Sequence, residues 1–410
     1  MTAAVNQQKK FREMSSEERF NYIFEKSKLS ELSKSALRNW AEVAVPKAEN
    51  HLSYVKMAVG VIPEIRVNGK SYVVPLITEE PSVIAGVSNA VKMAKKYGGF
   101  RASASGNMTI GQVQVVNIPI DLIDKAIPRL KLNEENLFML ANEATPRLVA
   151  AGGGIVSMKP KKIDTPMGPQ IIVDFNVDCK DAMGANAVSK MAESMAQEIA
   201  SITGGEVVGR ILSNLAIGRA VVCDATFDKE SLALKKNGVE ISGERIIEGI
   251  LHLGAWAQSD QLRATTHNKG IMNGIDALAL ATGQDSRAIE AAAHSYTSYY
   301  LRHYGPFSSF RMNAKGDLEA HLEMLIPVGV IGGALAMKEN GDGAVNPSIK
   351  ACLEITGCTS ATELAALFGA VGLAQNVAAL RMLCGEGLSQ GHIEMHKKRI
   401  DNAVVQEKRV

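Results

Sequence analysis

The feature that most constrains this chain is the order of periodicities between residues 112 and 213. Val113 and Val115 alternate with Gln112 and Gln114, the two-residue repeat of a half-buried strand. A helical stretch follows from about Asp121 to Asn142, interrupted near Pro128. Gly152-Gly153-Gly154 leads into a short strand at Ile155-Val156. A turn-rich linker, KPKKIDTPMGPQ, then feeds a second alternating run from Ile171 to Val177. Val188, Met191, Met195, Ile199 and Ile202 recur at three- and four-residue steps, one face of a long helix, with Asp181 as its cap. Gly204-Gly205 stops that helix before a last strand, Val207 to Leu212. Strand, helix, strand, strand, helix, strand is the split-βαβ, ferredoxin-like plan. The fold class is therefore α+β, with residues 110–217 inserted into a larger helix-rich unit.

The larger unit carries its own signals. Ile65 to Val67 and Tyr72 to Val74 flank Asn68-Gly69, the pair best suited to a turn in which both residues take positive φ. Glu79-Glu80-Pro81-Ser82 precedes an amphipathic run, and Pro81 suits a first helical position, so Glu80 sits at a helix mouth. A strand is expected at Ala220 to Phe227, helices around Glu244 to Gln258 and from Asp285, and more over 361–384. Gly385 and Gly387 break the last of these before a short helical piece, His392 to Ile400.

Composition narrows the function classes. With 46% hydrophobic and 21% charged residues over 410 positions, the chain has ample material for a buried core. Its 45 basic and 43 acidic side chains leave a net charge of +2, so no nucleic-acid footprint exists. The apolar stretch Met324 to Met337 falls short of the ~20 residues a membrane span needs. Five cysteines without CxxC spacing read as reduced thiols, and a cytoplasmic protein is expected.

Taken singly, the chemical motifs decide little. No G-x-G-x-x-G and no Walker A sequence occurs, so a dinucleotide would not bind through the usual Rossmann turn. His392 and His396 lie one turn apart, but a zincin needs Glu directly after the first His, and Glu394 is two residues on; no metal is expected. A charged terminal helix, or a catalytic His392 beside a glycine hinge, remain the readings there. Lys269, in the glycine-bearing run His267-Asn268-Lys269-Gly270-Ile-Met-Asn273-Gly274-Ile-Asp276, reads by itself as a loop lysine. Asp285 is fully explained as a helix cap, and Glu80 as a favourable charge at a helix start. Asp181-Ala-Met183-Gly184-Ala-Asn186 opens a helix with small residues, which would let a phosphate approach its N–H groups.

In combination these strings resemble the soluble, class II 3-hydroxy-3-methylglutaryl-coenzyme A (HMG-CoA) reductases. The resemblance runs from about Phe11-Arg12 to His396. It includes Glu49-Asn50, Val67-Asn68-Gly69, Glu79 to Ser82, Asp181 to Asn186 and Ile211 to Leu215. It continues through His267 to Asp276, Ala281 to Asp285, Gly372-Leu-Ala-Gln375-Asn376 and Gly391-His392. It implies reduction of HMG-CoA to mevalonate and coenzyme A with two nicotinamide cofactors in succession, or the reverse, in the mevalonate route to isoprenoids. Residues 1–109 and 218–375 would form the HMG-CoA-binding domain, 110–217 the nicotinamide-binding domain and 376–410 a short helical flap.

The resemblance also assigns residues. Lys269 matches the ammonium that stabilises the carbonyl oxygen as hydride adds, Glu80 the proton donor, and Asp285 the group sharing hydrogen bonds with both. His392 matches the acid that protonates the departing thiolate. Ser82, Arg263, Asn273 and Gln375 fall around the hydroxymethylglutaryl group, and Arg12 near the coenzyme A phosphates. Thr145, Arg147, Asp181, Met183, Gly184, Asn186 and Asn214 fall on the cofactor side. Relatives preferring NAD carry an acid where Thr145 stands; uncharged Thr145 with Arg147 nearby suits the 2′-phosphate of NADP(H), with NAD(H) as the second choice. The implied assembly is a homodimer or larger, with the site between subunits. The usual glycine-containing loop after Glu49-Asn50 reads His51 to Val55 here. Two alternatives stand beside the reductase: a weak or inactive homologue that binds coenzyme A thioesters, and a non-redox acyl-CoA lyase or thioesterase.

Overall fold

The computed structural model describes residues 11, 14, 16–38, 57–236, 239–332 and 346–385. Helices α1 (Ser16–Lys26) and α2 (Glu31–Arg38) precede a hairpin of β1 (Val59–Val67) and β2 (Lys70–Ile77). Its turn is Asn68-Gly69, with φ of 52° and 80°, the positive pair that matches the strands' own twist. Next come α3 (Pro81–Met93) and β3 (Phe100–Ala104).

The chain then leaves the first sheet to build a second. This consists of β4 (Met108–Val116), α4 (Ile120–Leu132), α5 (Glu134–Glu143), α6 (Pro146–Ala150), β5 (Gly154–Thr165), β6 (Gly168–Asp178), α7 (Ala185–Thr203) and β7 (Glu206–Leu212). Its strands run in the order β5-β6-β4-β7, antiparallel throughout. A separate apolar core lies between them and the helices, where Val113, Val173, Phe175, Met191, Met195 and Ile199 are fully buried.

Two expectations need correction here. The stretch KPKKIDTPMGPQ is not a linker: Gly154 to Thr165 is one strand of 12 residues, turning at Pro166-Met167 straight into β6. β5 is the edge of its sheet, where Pro160 can pair with Val173 without interrupting a central ladder. Its lysines face solvent, which gives the sequence its loop-like look. Nor does Pro128 interrupt the first helix, since it lies inside α4. The break comes at Asn133, whose side-chain amide donates to the Arg129 carbonyl at 2.9 Å and caps the end.

The chain returns to the first sheet at β8 (Ala220–Phe227), followed by α8 (Lys229–Leu232), the short pair β9 (Leu234–Lys236) and β10 (Val239–Ile241), and α9 (Gly243–Ser259). Then follow α10 (Gln261–Ala281), α11 (Ser286–Leu301), β11 (Ser308–Met312), β12 (Leu318–Leu325), α12 (Pro347–Thr356) and α13 (Ala361–Cys384). The six strands order as β11-β12-β8-β3-β1-β2. Helix α13 is long and apolar enough to cross a membrane by length and composition, yet 89% of its apolar window is buried inside this chain. It packs against α3, α9, α10, β3 and β8, and a helix surrounded on all sides is apolar all round.

The start of α13 is held by charge. Ser360 accepts from the Glu363 N–H at 3.1 Å, while Glu363 reaches back to the Thr359 N–H at 2.8 Å, a reciprocal arrangement of the capping-box kind. Burial alone would raise the Glu363 pKa, but Lys70, Thr359 and Tyr72 outweigh it and hold the carboxyl at about 2. The stabilisation is therefore complete above the ordinary range near 4.5 and is lost as pH falls through about 2. Glu363→Gln is expected to remove about 1–2 kcal/mol at neutral pH, after allowing for solvent screening, and none at the acid end. Urea denaturation of both proteins from pH 7 down to the acid limit checks this, since the two stability curves should converge.

Candidate functional site

The cofactor-side residues gather at one end of the inserted sheet. Asp181 does not cap α7, contrary to the sequence reading. The cap is Gly184 at φ 101°, where a side chain would strike the Cys179 sulfur and a left-handed backbone favours glycine. Asp181 instead accepts from the Ala361 N–H at 2.9 Å, tying the turn to the start of α13. Since Gly184 offers no side-chain cap, the first N–H groups of α7 are open to an outside acceptor.

The Ala182-Met183 turn is built by close backbone approach. Val330 N–H donates to the Asp181 carbonyl at 2.8 Å. A Cβ on Gly329 would lie 2.4 Å from the Met183 nitrogen, so only glycine fits. Gly329 N–H in turn donates to the Gln284 side chain at 2.9 Å, and Gln284 immediately precedes Asp285. A small crevice beside this turn is lined by Thr109, Met183, Leu212, Ser213, Asn214, Ala216 and Pro327. Met183 and Asn214 thus meet in one place, a short step from the Asp285 loop. Asn186 and Asn214 are exposed, as a ligand-facing group must be.

One guanidinium holds this arrangement together, and sequence reading missed it. Arg219 is 2% exposed. It donates to Thr109 Oγ1 at 3.1 Å and to the carbonyls of Asn107, Ala182, Met183 and Val328 at 2.9–3.0 Å. Among the described residues no carboxylate shares these bonds, and burial pushes the guanidinium pKa down. Its only sequence signal is an arginine standing between Gly218 and an apolar strand.

Thr145 and Arg147 lie at the same end. Gly153 packs so closely that a Cβ would sit 2.5 Å from the Asp178 carbonyl and 2.6 Å from Leu148 Cδ1. This brings the segment after α5 against the approach to Asp181. Arg147 is exposed, whereas Thr145 is buried with its hydroxyl 3.5 Å from the Ala141 carbonyl. Lys180, in the left-handed region at φ 50°, adds a cation at this corner, paired with Asp178 at 2.8 Å.

The substrate-side residues come from three helices. Glu80 is the N-cap of α3 and accepts from the Ser82 N–H at 3.0 Å. Lys269 is not on a loop: it lies mid-way along α10, a helix of 21 residues, and its side chain is exposed. Gly274 serves packing, since it leaves room for Gln375 and Val371 of α13, whereas a Cβ on Gly270 would meet Ala379 at an ordinary 3.9 Å. Gln375 also lies against Gly86 of α3. The early turns of α3 and the middle of α10 therefore meet the same turn of α13. Gln375 is 6% exposed, and its Oε1 has no hydrogen-bond partner among the described residues. A buried amide oxygen left open in this way is suited to a ligand.

Asn273 is half-buried one turn after Lys269, and Arg263 is half-buried with its Nε unpartnered among the described residues and its guanidinium over the Trp256 ring. Asp285 caps α11 through the Ala288 N–H at 3.1 Å and pairs with Arg287 at 3.3 Å. On the buried face of α10, burial and the Arg263 charge push His267 down to about 4, so it is a neutral ring bonded to Ser308 at 2.7 Å. Arg12, His392, Glu49-Asn50 and residues 386–410 lie outside the described residues, while residues 376–384, expected to open the flap, are the last part of α13.

Comparison with known proteins identifies the family. The sequence model of the hydroxymethylglutaryl-coenzyme A reductase family matches residues 15–397. The chain belongs to this family. A 3-hydroxy-3-methylglutaryl-coenzyme A reductase of Archaeoglobus fulgidus is 41% identical over 395 residues, 95% of this chain and 85% of that protein. A probable reductase of Borreliella burgdorferi is 32% identical, covering 86% of this chain and 77% of that one. The fold is similar to the class II reductase of Streptococcus pneumoniae bound to NADPH in open conformations. That similarity has a TM-score of 0.80 at 33% identity and covers 91% of this chain and 98% of that one. Membership in the HMG-CoA reductase family makes the chain an oxidoreductase of the class II architecture. Among the described residues, the acidic group closest to a metal-like cluster is Asp228, Glu230 and Asp317. Lys96 is bonded to Asp228, and the cluster is remote from these motifs in sequence.

Proposed function

We infer that this chain reduces HMG-CoA to mevalonate and coenzyme A, using two NADPH per turnover, or runs the reverse. The observation that carries this reading is that the two groups of residues leave two openings. One is the crevice of Met183 and Asn214 beside the uncapped start of α7; the other is the junction of α3, α10 and α13 around Gln375. Gly329 and Gln284 tie the cofactor turn to the Asp285 loop.

The chemistry divides between the sites. NADPH supplies hydride when bound; the open N–H groups at Ala185 and Asn186 suit its phosphates. On the substrate side, hydride addition turns a planar carbonyl into an alkoxide. Lys269 stabilises that charge, and Glu80 delivers the proton that makes the alcohol. Asp285 orients both. His392 protonates the thiolate released when the hemithioacetal collapses. Ser82, Arg263, Asn273 and Gln375 hold the hydroxymethylglutaryl group, and Arg12 the coenzyme A phosphates. In a single chain Lys269 is exposed and Asp285 Oδ1 serves both Ala288 and Arg287. A second copy of the chain covering this face completes the set, so the working unit is a homodimer or larger, in the cytoplasm. Neither a membrane nor a nucleic acid is a partner.

NADP(H) is the preferred cofactor. Thr145 brings no charge to repel a 2′-phosphate, and the exposed Arg147 can pair with one. The kcat/KM for NADPH is expected to exceed that for NADH by about tenfold or more, and Arg147→Ala should erase most of the difference. Equal efficiencies, or a preference for NADH, would contradict the assignment. The reaction itself is tested by following NADPH oxidation with HMG-CoA while mevalonate is quantified. Thioester binding without turnover would favour the inactive homologue, and coenzyme A release without oxidation the lyase or thioesterase.

A further inference from the structure

Lys269 shares one face of α10 with Asn273 and Asp276, at steps of four and three residues. Asp276 is half-buried, and its Oδ1 has no hydrogen-bond partner among the described residues. Its carboxyl is in contact with the Glu290 carboxyl of α11. Two carboxylates are both acceptors, so such a contact requires a proton between them. Glu290 also meets His294 Nε2 at 2.7 Å, and His294 Nδ1 meets Tyr304 Oη at 2.7 Å. The Asn268 amide donates to Tyr304 Oη at 3.1 Å and to the Gly305 carbonyl at 2.9 Å, while its oxygen accepts from Phe307 N–H at 2.9 Å. The Asn268 amide is thus fixed by backbone at both ends, and the donors run in one sense. Asn268 donates to Tyr304, Tyr304 to His294, and His294 to Glu290, which also receives the Asp276 proton. None of these groups belongs to the roles assigned above.

We propose that Asp276 and Glu290, holding one proton between them, form a positioning pair for Lys269, with His294 and Tyr304 fixing where that proton sits. The proposal rests on the reading of Lys269 as the group facing the carbonyl oxygen. With one proton the pair carries a single negative charge, enough to favour the ammonium without capturing it. Loss of that proton doubles the charge on the Lys269 face and draws the ammonium back along the helix, away from substrate. Burial, then the neighbouring Glu290 charge, push Asp276 up to about 7, against the opposing effects of His294 and Lys269, so the change falls in the working pH range. Glu290 moves down, chiefly through His294. The groups facing Asp276 are thus Glu290 and His294 from α11 and Lys269 from its own helix. α13 meets this part of α10 through Val371, Gln375 and Ala379, none of them ionisable.

The test pairs kinetics with a readout that needs no substrate. Asp276→Asn keeps the size and a donor but fixes the charge at the one-proton value. Its kcat–pH profile is expected to lose the limb near 7 and hold activity to a pH higher by about one unit or more. Glu290→Gln should likewise abolish that limb, because the one carboxylate left cannot carry two charges. Infrared spectra of the free full-length enzyme should show a neutral carboxylic-acid band near neutral pH that titrates in the parent and is missing in Asp276→Asn. A merely structural role would lower stability and leave the position of the limb unchanged. Superimposable pH profiles, or a band untouched by the substitution, would overturn the proposal. A parent enzyme without reductase turnover would instead contradict the reductase reading, and the infrared titration distinguishes that outcome.

Discussion

Lys269→Ala is expected to lower kcat for both hydride steps by about 10²–10³-fold, the usual cost of removing one group that stabilises an oxyanion. The argument is electrostatic. Negative charge is absent from the carbonyl in the ground state and develops as hydride arrives, so a fixed ammonium favours the transition state over bound substrate. KM should therefore change much less than kcat. Folding should survive, because Lys269 is exposed on an α10 whose buried side is untouched and alanine is a strong helix former. Steady-state kinetics with HMG-CoA and with mevaldehyde, beside a thermal unfolding scan, check all three statements. A variant retaining activity within a few-fold of the parent would refute the assigned role.

The second large effect belongs to Arg219. Replacing it with Met leaves Thr109 and four carbonyls without their donor in a buried place. Each buried acceptor left unmet costs about 1–3 kcal/mol, and even with partial compensation by water the loss should reach about 3–5 kcal/mol. Urea denaturation measures it. Arg219→Lys keeps the charge but lacks the planar fork that spans five acceptors. It should fold, and it should loosen the Met183 turn relative to Val328. The expected signature is a KM for NADPH raised about tenfold with the KM for HMG-CoA nearly unchanged, since about 1.4 kcal/mol of misplacement is a factor of ten in binding. Equal changes in both constants would mean that Arg219 serves stability alone.

Much of this was legible in sequence because it follows from local rules. The Asn68-Gly69 turn, Pro81 at a helix start, Asp285 as a cap and the alternation of Val173, Phe175 and Val177 each depend on a few neighbouring residues. The misreadings share a different origin. β5 resembled a linker because an edge strand with one solvated face accepts Lys and Pro that a central strand would reject. Lys269 resembled a loop residue because Gly270 and Gly274 are costly for a helix in isolation, and the cost at Gly274 is offset by the close approach of α13. Asp181 resembled a cap, yet its bond to Ala361 spans 180 positions and leaves no local trace. Arg219 is the extreme case: its five acceptors come from three separate parts of the chain, so nothing near Gly218 announces it.

The two halves of the site have different physical foundations. The cofactor turn is defined by backbone: Gly184 in a left-handed conformation, Gly329 in van der Waals contact, and carbonyls converging on one guanidinium. The substrate side is defined by helix packing, with α13 as the common wall. Side-chain substitutions around Gln375 should therefore act on substrate affinity, whereas any Cβ added at Gly329 should disturb the cofactor turn.

The most direct measurement uses NADPH carrying deuterium at the transferable position, with unlabelled HMG-CoA. If both hydrides are delivered to the one thioester carbon held opposite Lys269, each mevalonate formed will carry two deuterium atoms on its primary alcohol carbon, with two NADPH oxidised per coenzyme A released. Mevalonate with fewer than two labels there, or coenzyme A appearing without NADPH oxidation, would contradict the account.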